Sequence, residues 1–165
     1  MTGSIIRIMA GMGWLLAVFL HQPMVWAGDL PLRDSQGIVH NFSEFQGKWV
    51  LVNYWATWCT PCLEEIPELV RFHAEHKETD AVVVGINRED LDWEALIFFI
   101  NEVGINYPVW TSPPSAQTVL GPVTGLPTSF LISPQGEVVA RQMGKVSKAM
   151  LERFIARQRD IRADD

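Results

Sequence analysis

Cys59 and Cys62 are the residues of this chain whose type and spacing best suit chemistry. They are the only two cysteines among 165 residues, and a Thr-Pro pair separates them. A strand pattern leads into the pair and a helix pattern leads out of it, which predicts thiols at the start of a helix. Unpaired backbone N–H groups and the helix dipole favour the thiolate at such a place. The second thiol lies within one helical turn of the first, so the pair is predicted to form a disulfide that can close and reopen.

The segments on either side must hold this pair in place. Residues 48–55 contain a continuous apolar run, which predicts a central strand covered on both faces. Over residues 61–76, apolar side chains recur at spacings of three and four, as in an amphipathic helix, and a proline suits its first turn. Pro67 lies inside this pattern and predicts a kink. Glu65 follows Cys62 by one helical turn and is therefore expected on the same helix face.

The rest of the chain alternates between strand and helix patterns. Before the central strand, turn residues predict a hairpin that begins at residue 30 and turns at 34–37. After the first helix, apolar periodicity predicts a strand at 81–86, a helix at 93–103 and an extended segment at 107–110. The last part of the chain is predicted to form a helical turn at 116–120, a hairpin over 129–141 and a final helix capped by Ser147. We expect Asp90 or Asp92 to cap the second helix and Gly104 to end it. This order predicts an α/β fold, with a central mixed sheet flanked by helices and an N-terminal β-hairpin.

Residues 1–27 have the composition of an export segment. Arg7 is their only charged residue, and the apolar stretch over residues 8–20 is shorter than the ~20 residues that a bilayer span needs. Val25-Trp26-Ala27 fits a small-x-small cleavage site. The segment is therefore expected to be either a signal peptide or an N-terminal membrane anchor.

Both alternatives place the following domain outside the cytoplasm, in the periplasm. This domain is expected over residues 28–157, with a charged tail at 158–165. The net charge of the whole chain is −6, which disfavours a phosphate-binding surface. No nucleic-acid partner is therefore expected.

Several motifs resemble those of one family. The run Trp58-Cys59-Thr60-Pro61-Cys62 is similar to the active site of the thioredoxin-like superfamily, with Trp55-Ala56 upstream and Pro67 inside the helix as in that family. Leu126-Pro127-Thr128 resembles the loop that holds a cis-proline opposite the disulfide. The Cys-x-x-Cys-x-x-Glu spacing and the initial hairpin are more similar to the TlpA-like branch of exported thiol-disulfide oxidoreductases. The resemblance covers nearly all of residues 28–156.

The resemblance implies a thioredoxin fold and an enzyme that reduces protein disulfides, including in cytochrome c maturation, with no cofactor and no metal. From their positions, Cys59 is expected to attack a substrate disulfide and Cys62 to resolve the mixed disulfide. Thioredoxin has a buried aspartate where this chain has Asn53, whereas the TlpA-like branch has a glutamate that matches Glu65, so the proton acceptor is expected on the helix. The residues expected to contact substrate are Trp58, Thr60, Pro61, Leu126 and Pro127. The implied partners are protein disulfide substrates and a membrane-embedded thiol electron donor, and a monomer is expected.

Other interpretations of the same residues stay open. His73 and His76 follow the cysteines at a spacing that superficially suits a zinc site, although a helix would put Cys62 and His73 roughly 16 Å apart. A copper or haem-protein chaperone of the same fold would also hold a dithiol. A structural disulfide is permitted in an exported protein, but so short a loop constrains the unfolded chain little. Glu65 is alternatively a solvated first-turn acid, and Pro127 a turn proline of the core.

Overall fold

The computed structural model describes residues 32–112 and 117–163. The predicted signal peptide or anchor, residues 1–27, and the predicted start of the hairpin lie outside these ranges. Within them the strands are β1 (Leu32–Arg33), β2 (Val39–His40), β3 (Trp49–Trp55), β4 (Ala81–Asn87), β5 (Val109–Thr111), β6 (Gln117–Thr118), β7 (Gly121–Pro122), β8 (Thr128–Ile132) and β9 (Val138–Met143), and the α-helices are α1 (Thr60–His76), α2 (Trp93–Val103) and α3 (Lys148–Ala163). Seven of these strands form one sheet in the order β2-β1-β5-β4-β3-β8-β9, and β6 pairs with β7. The mixed sheet flanked by helices confirms the predicted α/β architecture.

β3 lies inside the sheet, which explains its continuous apolar run. It pairs in parallel with β4 and antiparallel with β8, and every residue of β3 and β4 is buried. Val52 belongs to the core cluster on one face, and Leu51 belongs to a second cluster. Burial of an aliphatic side chain of this size contributes about 1.5–3 kcal/mol. The strand that leads to Cys59 is therefore fixed by packing on both of its faces.

The first two helices match their predicted positions. α1 covers the predicted residues 61–76, and α2 has the predicted bounds. Asp92, and not Asp90, caps α2, because its side chain accepts a hydrogen bond from the Ala95 N–H at 2.8 Å. Gly104 ends α2 with φ of 72°, a left-handed conformation that glycine adopts without a steric penalty.

Two segments differ from the sequence-based expectation. Residues 117–120 do not form the predicted helical turn, since β6 and β7 make a small antiparallel pair there. The Thr118 hydroxyl donates a hydrogen bond to the Gly121 carbonyl at 2.7 Å, and Gly121 has φ of 131°. These features close a tight turn between two strands in place of a helical turn. α3 also continues past the boundary predicted at residue 157, as far as Ala163.

The first two strands form a short antiparallel pair in which Leu32 lies opposite His40. The longer hairpin predicted from residue 30 lies partly outside the described residues. His40 Nε2 is 3.0 Å from Asp34 Oδ2, and His40 Nδ1 is 2.9 Å from Glu44 Oε2. The imidazole ring also stacks on Trp110 of β5, with 4.9 Å between the ring centroids. This one side chain therefore connects the β1–β2 pair to the sheet and to the 3₁₀ helix Phe42–Phe45, which follows β2.

Candidate active site

Cys59 and Cys62 form a disulfide at the start of α1, with their Cα atoms 5.2 Å apart. Cys59 is the N-cap residue of the helix, and its carbonyl oxygen accepts hydrogen bonds from the N–H groups of Cys62 at 2.9 Å and Leu63 at 3.1 Å. The Cys59 N–H donates to the Ala56 carbonyl at 3.2 Å, which forms the turn between β3 and the helix. This junction confirms the predicted strand-to-helix transition. It places the pair at the positive end of the helix dipole, where the thiolate is stabilised.

The two cysteines and their neighbours differ in access to solvent. Cys59 is 4% exposed, whereas Cys62 is fully buried. Trp58 is 71% exposed, and both residues between the cysteines, Thr60 and Pro61, are also exposed. An exposed tryptophan offers a large apolar contact area to another protein. A partner that approaches the pair therefore meets Cys59 and its exposed neighbours before Cys62.

The loop before β8 lies beside the disulfide. The peptide bond between Leu126 and Pro127 is cis, as the family resemblance implies. Leu126 is half-buried and packs against the hydrophobic cluster that contains both cysteines, whereas Pro127 is buried. The antiparallel pairing of β8 with β3 carries this loop to the same end of the sheet as the cysteines. The structure therefore brings Leu126 together with Cys59 and Cys62.

Glu65 lies in the core and is not a solvated surface acid. It is only 1% exposed, its Oε1 accepts a hydrogen bond from Asn53 Nδ2 at 2.7 Å, and its Oε2 accepts one from the Val146 N–H at 2.8 Å. Burial raises the pKa of Glu65 to about 7, although the hydrogen bonds from Val146 and Asn53 and the charge of Lys145 oppose this rise. Near neutral pH the side chain is therefore present both with and without its proton. A group that takes up and releases protons in a reaction needs this property.

Asn53 connects Glu65 to the neighbouring strand β8. Its Nδ2 also donates to Ser129 Oγ at 3.0 Å, and both residues are buried. Asparagine cannot take up a proton, so within this network the ionisable group is Glu65. Sequence reasoning identified Asn53 and Glu65 but missed Ser129 and Val146. A polar residue in an apolar strand was a weak signal for Ser129, whereas the Val146 contact uses the backbone and has no side-chain signal.

A cavity of about 270 Å³ between α1 and the start of α3 reaches Glu65. Lys145 Nζ forms an ion pair with Glu64 Oε2 at 2.5 Å, and both residues line this cavity. Glu65 itself has almost no exposed surface, so this cavity is where solvent comes nearest to its side chain.

The two histidines of the zinc hypothesis make other contacts. His73 is buried, its Nδ1 accepts a hydrogen bond from the Val83 N–H at 3.1 Å, and burial lowers its pKa to about 4. His76 Nδ1 is 2.9 Å from Asp80 Oδ1. The grouping of metal-ligand side chains found in the described part of the chain consists of Glu75, His76 and Glu152, and Lys148 Nζ already binds both of its carboxylates. A site that joins Cys59 and Cys62 to these histidines therefore has no support from the geometry.

A mixed sheet, a Cys-x-x-Cys disulfide at a helix start and an adjacent cis-proline loop define the class of thioredoxin-fold thiol-disulfide oxidoreductases. A profile of the AhpC/TSA family matches residues 26–141. The chain is 31% identical over 131 residues to thiol-disulfide oxidoreductase ResA of Bacillus thuringiensis. The aligned region covers 78% of this chain and 74% of the relative. It is 29% identical over 160 residues to ResA of Bacillus subtilis, and that alignment covers 93% of this chain and 89% of the relative.

The same class appears among solved structures. A thiol:disulfide interchange protein of the thioredoxin family from Chlorobium tepidum superposes with a TM-score of 0.66 at 30% identity, over 76% of this chain and 92% of that chain. The chain thus belongs to the AhpC/TSA family, and its relatives fit the TlpA-like branch named by the sequence resemblance. It is a thiol-disulfide oxidoreductase with Cys59 and Cys62 in Cys-x-x-Cys spacing. No helix within residues 32–112 and 117–163 has both the length and the apolar character that crossing a membrane requires.

Proposed function

We propose that this protein reduces protein disulfides outside the cytoplasm through a Cys59/Cys62 dithiol. The observation that carries the proposal is the position of the pair, which closes a disulfide at the N-terminus of α1 next to the exposed Trp58 and to Leu126. Relatives named thiol-disulfide oxidoreductase support the same chemistry. In this scheme the disulfide described above is the state that remains after one turnover.

The reaction begins when the Cys59 thiolate attacks one sulfur of a substrate disulfide. The substrate S–S bond breaks, one substrate thiolate leaves, and a mixed disulfide joins Cys59 to the other substrate sulfur. Cys62, as a thiolate, then attacks the Cys59 sulfur, releases the second substrate thiolate and closes the Cys59–Cys62 disulfide. Two electrons pass from the protein to the substrate, and each released substrate thiolate takes up a proton.

Glu65 is the proposed proton acceptor for Cys62. The thiolate is the reactive form, so the buried Cys62 must lose its proton before it attacks. α1 places Glu65 one turn after Cys62, and a pKa of about 7 lets its carboxylate take up a proton near neutral pH. Ionised Glu65 also raises the pKa of the thiols, because a like charge disfavours the thiolate.

The substrate is proposed to dock on the residues around Cys59, which are Trp58, Thr60, Pro61, Leu126 and Pro127. Trp58 supplies an exposed apolar surface. The backbone at Leu126 can hydrogen-bond to an extended substrate segment as a neighbouring strand would. Such docking would place a disulfide of the bound substrate segment beside Cys59.

The location and the electron donor are inferred from the N-terminal segment and the family resemblance. Residues 1–27 support export to the periplasm, either as a cleaved signal peptide or as a retained anchor. A membrane-embedded thiol donor would return the pair to the dithiol after each turnover. The protein is proposed to act as a monomer. On the basis of the TlpA-like resemblance, it is proposed to supply electrons to cytochrome c maturation.

Trapping of the mixed disulfide tests this function. In Cys62→Ala the attack by Cys59 still occurs but the release step is lost, so the variant should accumulate reducible adducts with its substrates. Cys59→Ala is the matched control and should accumulate none. Both variants are expressed with residues 1–27 intact, extracts are run on non-reducing gels, and mass spectrometry of the adducts identifies the substrates.

Each other outcome favours a different assignment. Equal adducts from Cys59→Ala would mean that the roles of the thiols are reversed or that neither is privileged. The absence of adducts from both variants would favour a purely structural disulfide. Metal in the purified protein without thiol-disulfide turnover would favour a copper or haem-protein chaperone.

A further inference from the structure

Glu89 contacts the junction between β3 and α1 from a different part of the chain. It lies in the loop after β4 and is half-buried. Its Oε2 accepts the Thr57 N–H at 2.6 Å, and its Oε1 accepts the Thr57 hydroxyl at 3.0 Å. Thr57 lies in the turn that leads directly into Trp58 and Cys59. One carboxylate therefore binds both donors of Thr57, two residues before Cys59.

The carboxylate of Glu89 is itself fixed by the end of β4. The fully buried Asn87 donates from Nδ2 to Glu89 Oε2 at 3.1 Å, and its Oδ1 accepts the Glu89 N–H at 2.9 Å. The Arg88 N–H donates to the Trp55 carbonyl at 3.0 Å. A carboxylate on a flexible surface side chain would not keep these short and mutually consistent contacts, since ordering it costs side-chain entropy. Glu89 thus belongs to a rigid connection between the ends of β3 and β4.

We propose that Glu89 is a positioning residue that holds the Thr57–Cys59 turn in the disulfide geometry and thereby lowers the reduction potential of the Cys59–Cys62 pair. The proposal rests on thiol-disulfide exchange at this pair and not on the direction of electron flow. Two effects act in the same sense. The contacts to Thr57 are present with the disulfide closed, and an opened turn that moved Thr57 would lose them. The negative charge, held against a residue two positions before Cys59, also disfavours the thiolate of the opened state.

Replacement of the Glu89 carboxylate by an amide separates the positioning role from the effect of side-chain size. Glu89→Gln keeps the length of the side chain but removes its negative charge. With the carbonyl oxygen in the place of Oε2, the NH₂ group takes the place of Oε1 and can no longer accept the Thr57 hydroxyl. Thr57→Val removes only the hydroxyl contact, whereas Thr57→Ser retains it. Glu94→Gln is the matched charge control, because Glu94 is an exposed acid in the first turn of α2.

The measurement is the equilibrium of each full-length variant with glutathione, followed by non-reducing separation of dithiol and disulfide forms. We expect Glu89→Gln to shift the equilibrium constant about tenfold toward the dithiol, which is about 30 mV for a two-electron couple. Thr57→Val should shift it in the same direction by less, and the two changes should not add in the double variant. Thr57→Ser and Glu94→Gln should match wild type.

A second readout distinguishes positioning from a merely structural role. In the Cys62→Ala background, Glu89→Gln should lower the pKa of the Cys59 thiol, measured by the pH dependence of alkylation. A lower melting temperature with an unchanged potential and an unchanged thiol titration would overturn the proposal. An equal shift in Glu94→Gln would also overturn it, because surface charge alone would then account for the effect. A wild-type protein without any thiol exchange would instead count against the oxidoreductase function itself.

Discussion

Glu65 owes its raised pKa to burial, and the surrounding hydrogen bonds keep that rise moderate. Desolvation penalises the carboxylate, whereas the N–H groups of Val146 and Asn53 stabilise it. A buried carboxyl without such donors would keep its proton at neutral pH and could not accept another. The pKa of about 7 is therefore a joint property of α1, β3 and the segment before α3.

Removal of the Glu65 carboxylate should slow the second chemical step. Glu65→Gln keeps the side-chain shape but cannot take up a proton. For attack of Cys62 on a preformed mixed disulfide, we expect the wild-type rate to rise with pH through about 7, and the variant rate to be about 10²-fold lower without that inflection. Rapid-mixing kinetics with a fluorescent thiol leaving group would measure both profiles. Glu102→Gln, an exposed acid on α2, is the control, and a wild-type profile in Glu65→Gln would remove Glu65 from the mechanism.

The same group should make folding stability depend on pH. The pKa of Glu65 is about 7 in the folded protein against an ordinary value of 4.5, so between these values the folded state holds more protons than the unfolded state. Stability from this group is therefore complete below about pH 4.5 and is lost as pH rises through 7. Relative to Glu65→Gln, the unfolding free energy of wild type should fall over this window by up to about 3 kcal/mol, at about 1.4 kcal/mol per pKa unit. Urea unfolding at several pH values measures the difference, and a constant difference would contradict the raised pKa.

The central strand and the first two helices could be predicted because their signals are local. The apolar run of β3, the spacing of apolar residues in α1 and the caps Asp92 and Gly104 each identify an element without reference to the rest of the chain. The position of Cys59 at a strand-to-helix junction followed from two such neighbouring signals.

The long-range contacts of Glu65 and Thr57 could not be predicted in this way. Val146 reaches Glu65 through a backbone N–H, and Glu89 reaches Thr57 from the loop after β4. Both contacts join residues far apart in sequence, and neither produces a periodic pattern. The helical turn predicted at 116–120 was wrong for a related reason, because the pairing of β6 with β7 decided the local conformation.

The contact of His40 with the β1–β2 pair and the 3₁₀ helix should also depend on pH. Hydrogen bonds from the imidazole to Asp34 and then to Glu44 raise the pKa of His40 above its ordinary value of 6.5. Its contribution to stability is therefore complete below about 6.5 and is lost as pH rises through the folded pKa. The unfolding free energies of wild type and His40→Gln, measured by thermal unfolding, should differ by less than about 1 kcal/mol below the folded pKa of His40. The two free energies should converge above that pKa. A difference that grows with rising pH would contradict this assignment.

The chain joins residues 1–27, which are proposed to direct export, to a domain that holds the Cys59–Cys62 pair at one end of the sheet. We expect the full-length protein to reach the periplasm. A cleaved signal peptide would leave a soluble mature protein that begins at Gly28, whereas a retained anchor would leave residues 1–27 in place and the protein in the membrane fraction. Cell fractionation followed by N-terminal peptide mass spectrometry distinguishes the two, and a protein found only in the cytoplasm would contradict both.

The equilibrium reduction potential of the Cys59–Cys62 pair against glutathione tests the proposed reductase function most directly. Proteins of this fold have potentials between about −270 mV and about −120 mV, and the reducing members lie at the lower end. For wild type we predict a value nearer −270 mV than −120 mV, together with reduction of a protein disulfide that is lost in Cys59→Ala. A value near −120 mV would contradict the proposal, because so oxidising a disulfide would take electrons from substrate thiols and not supply them.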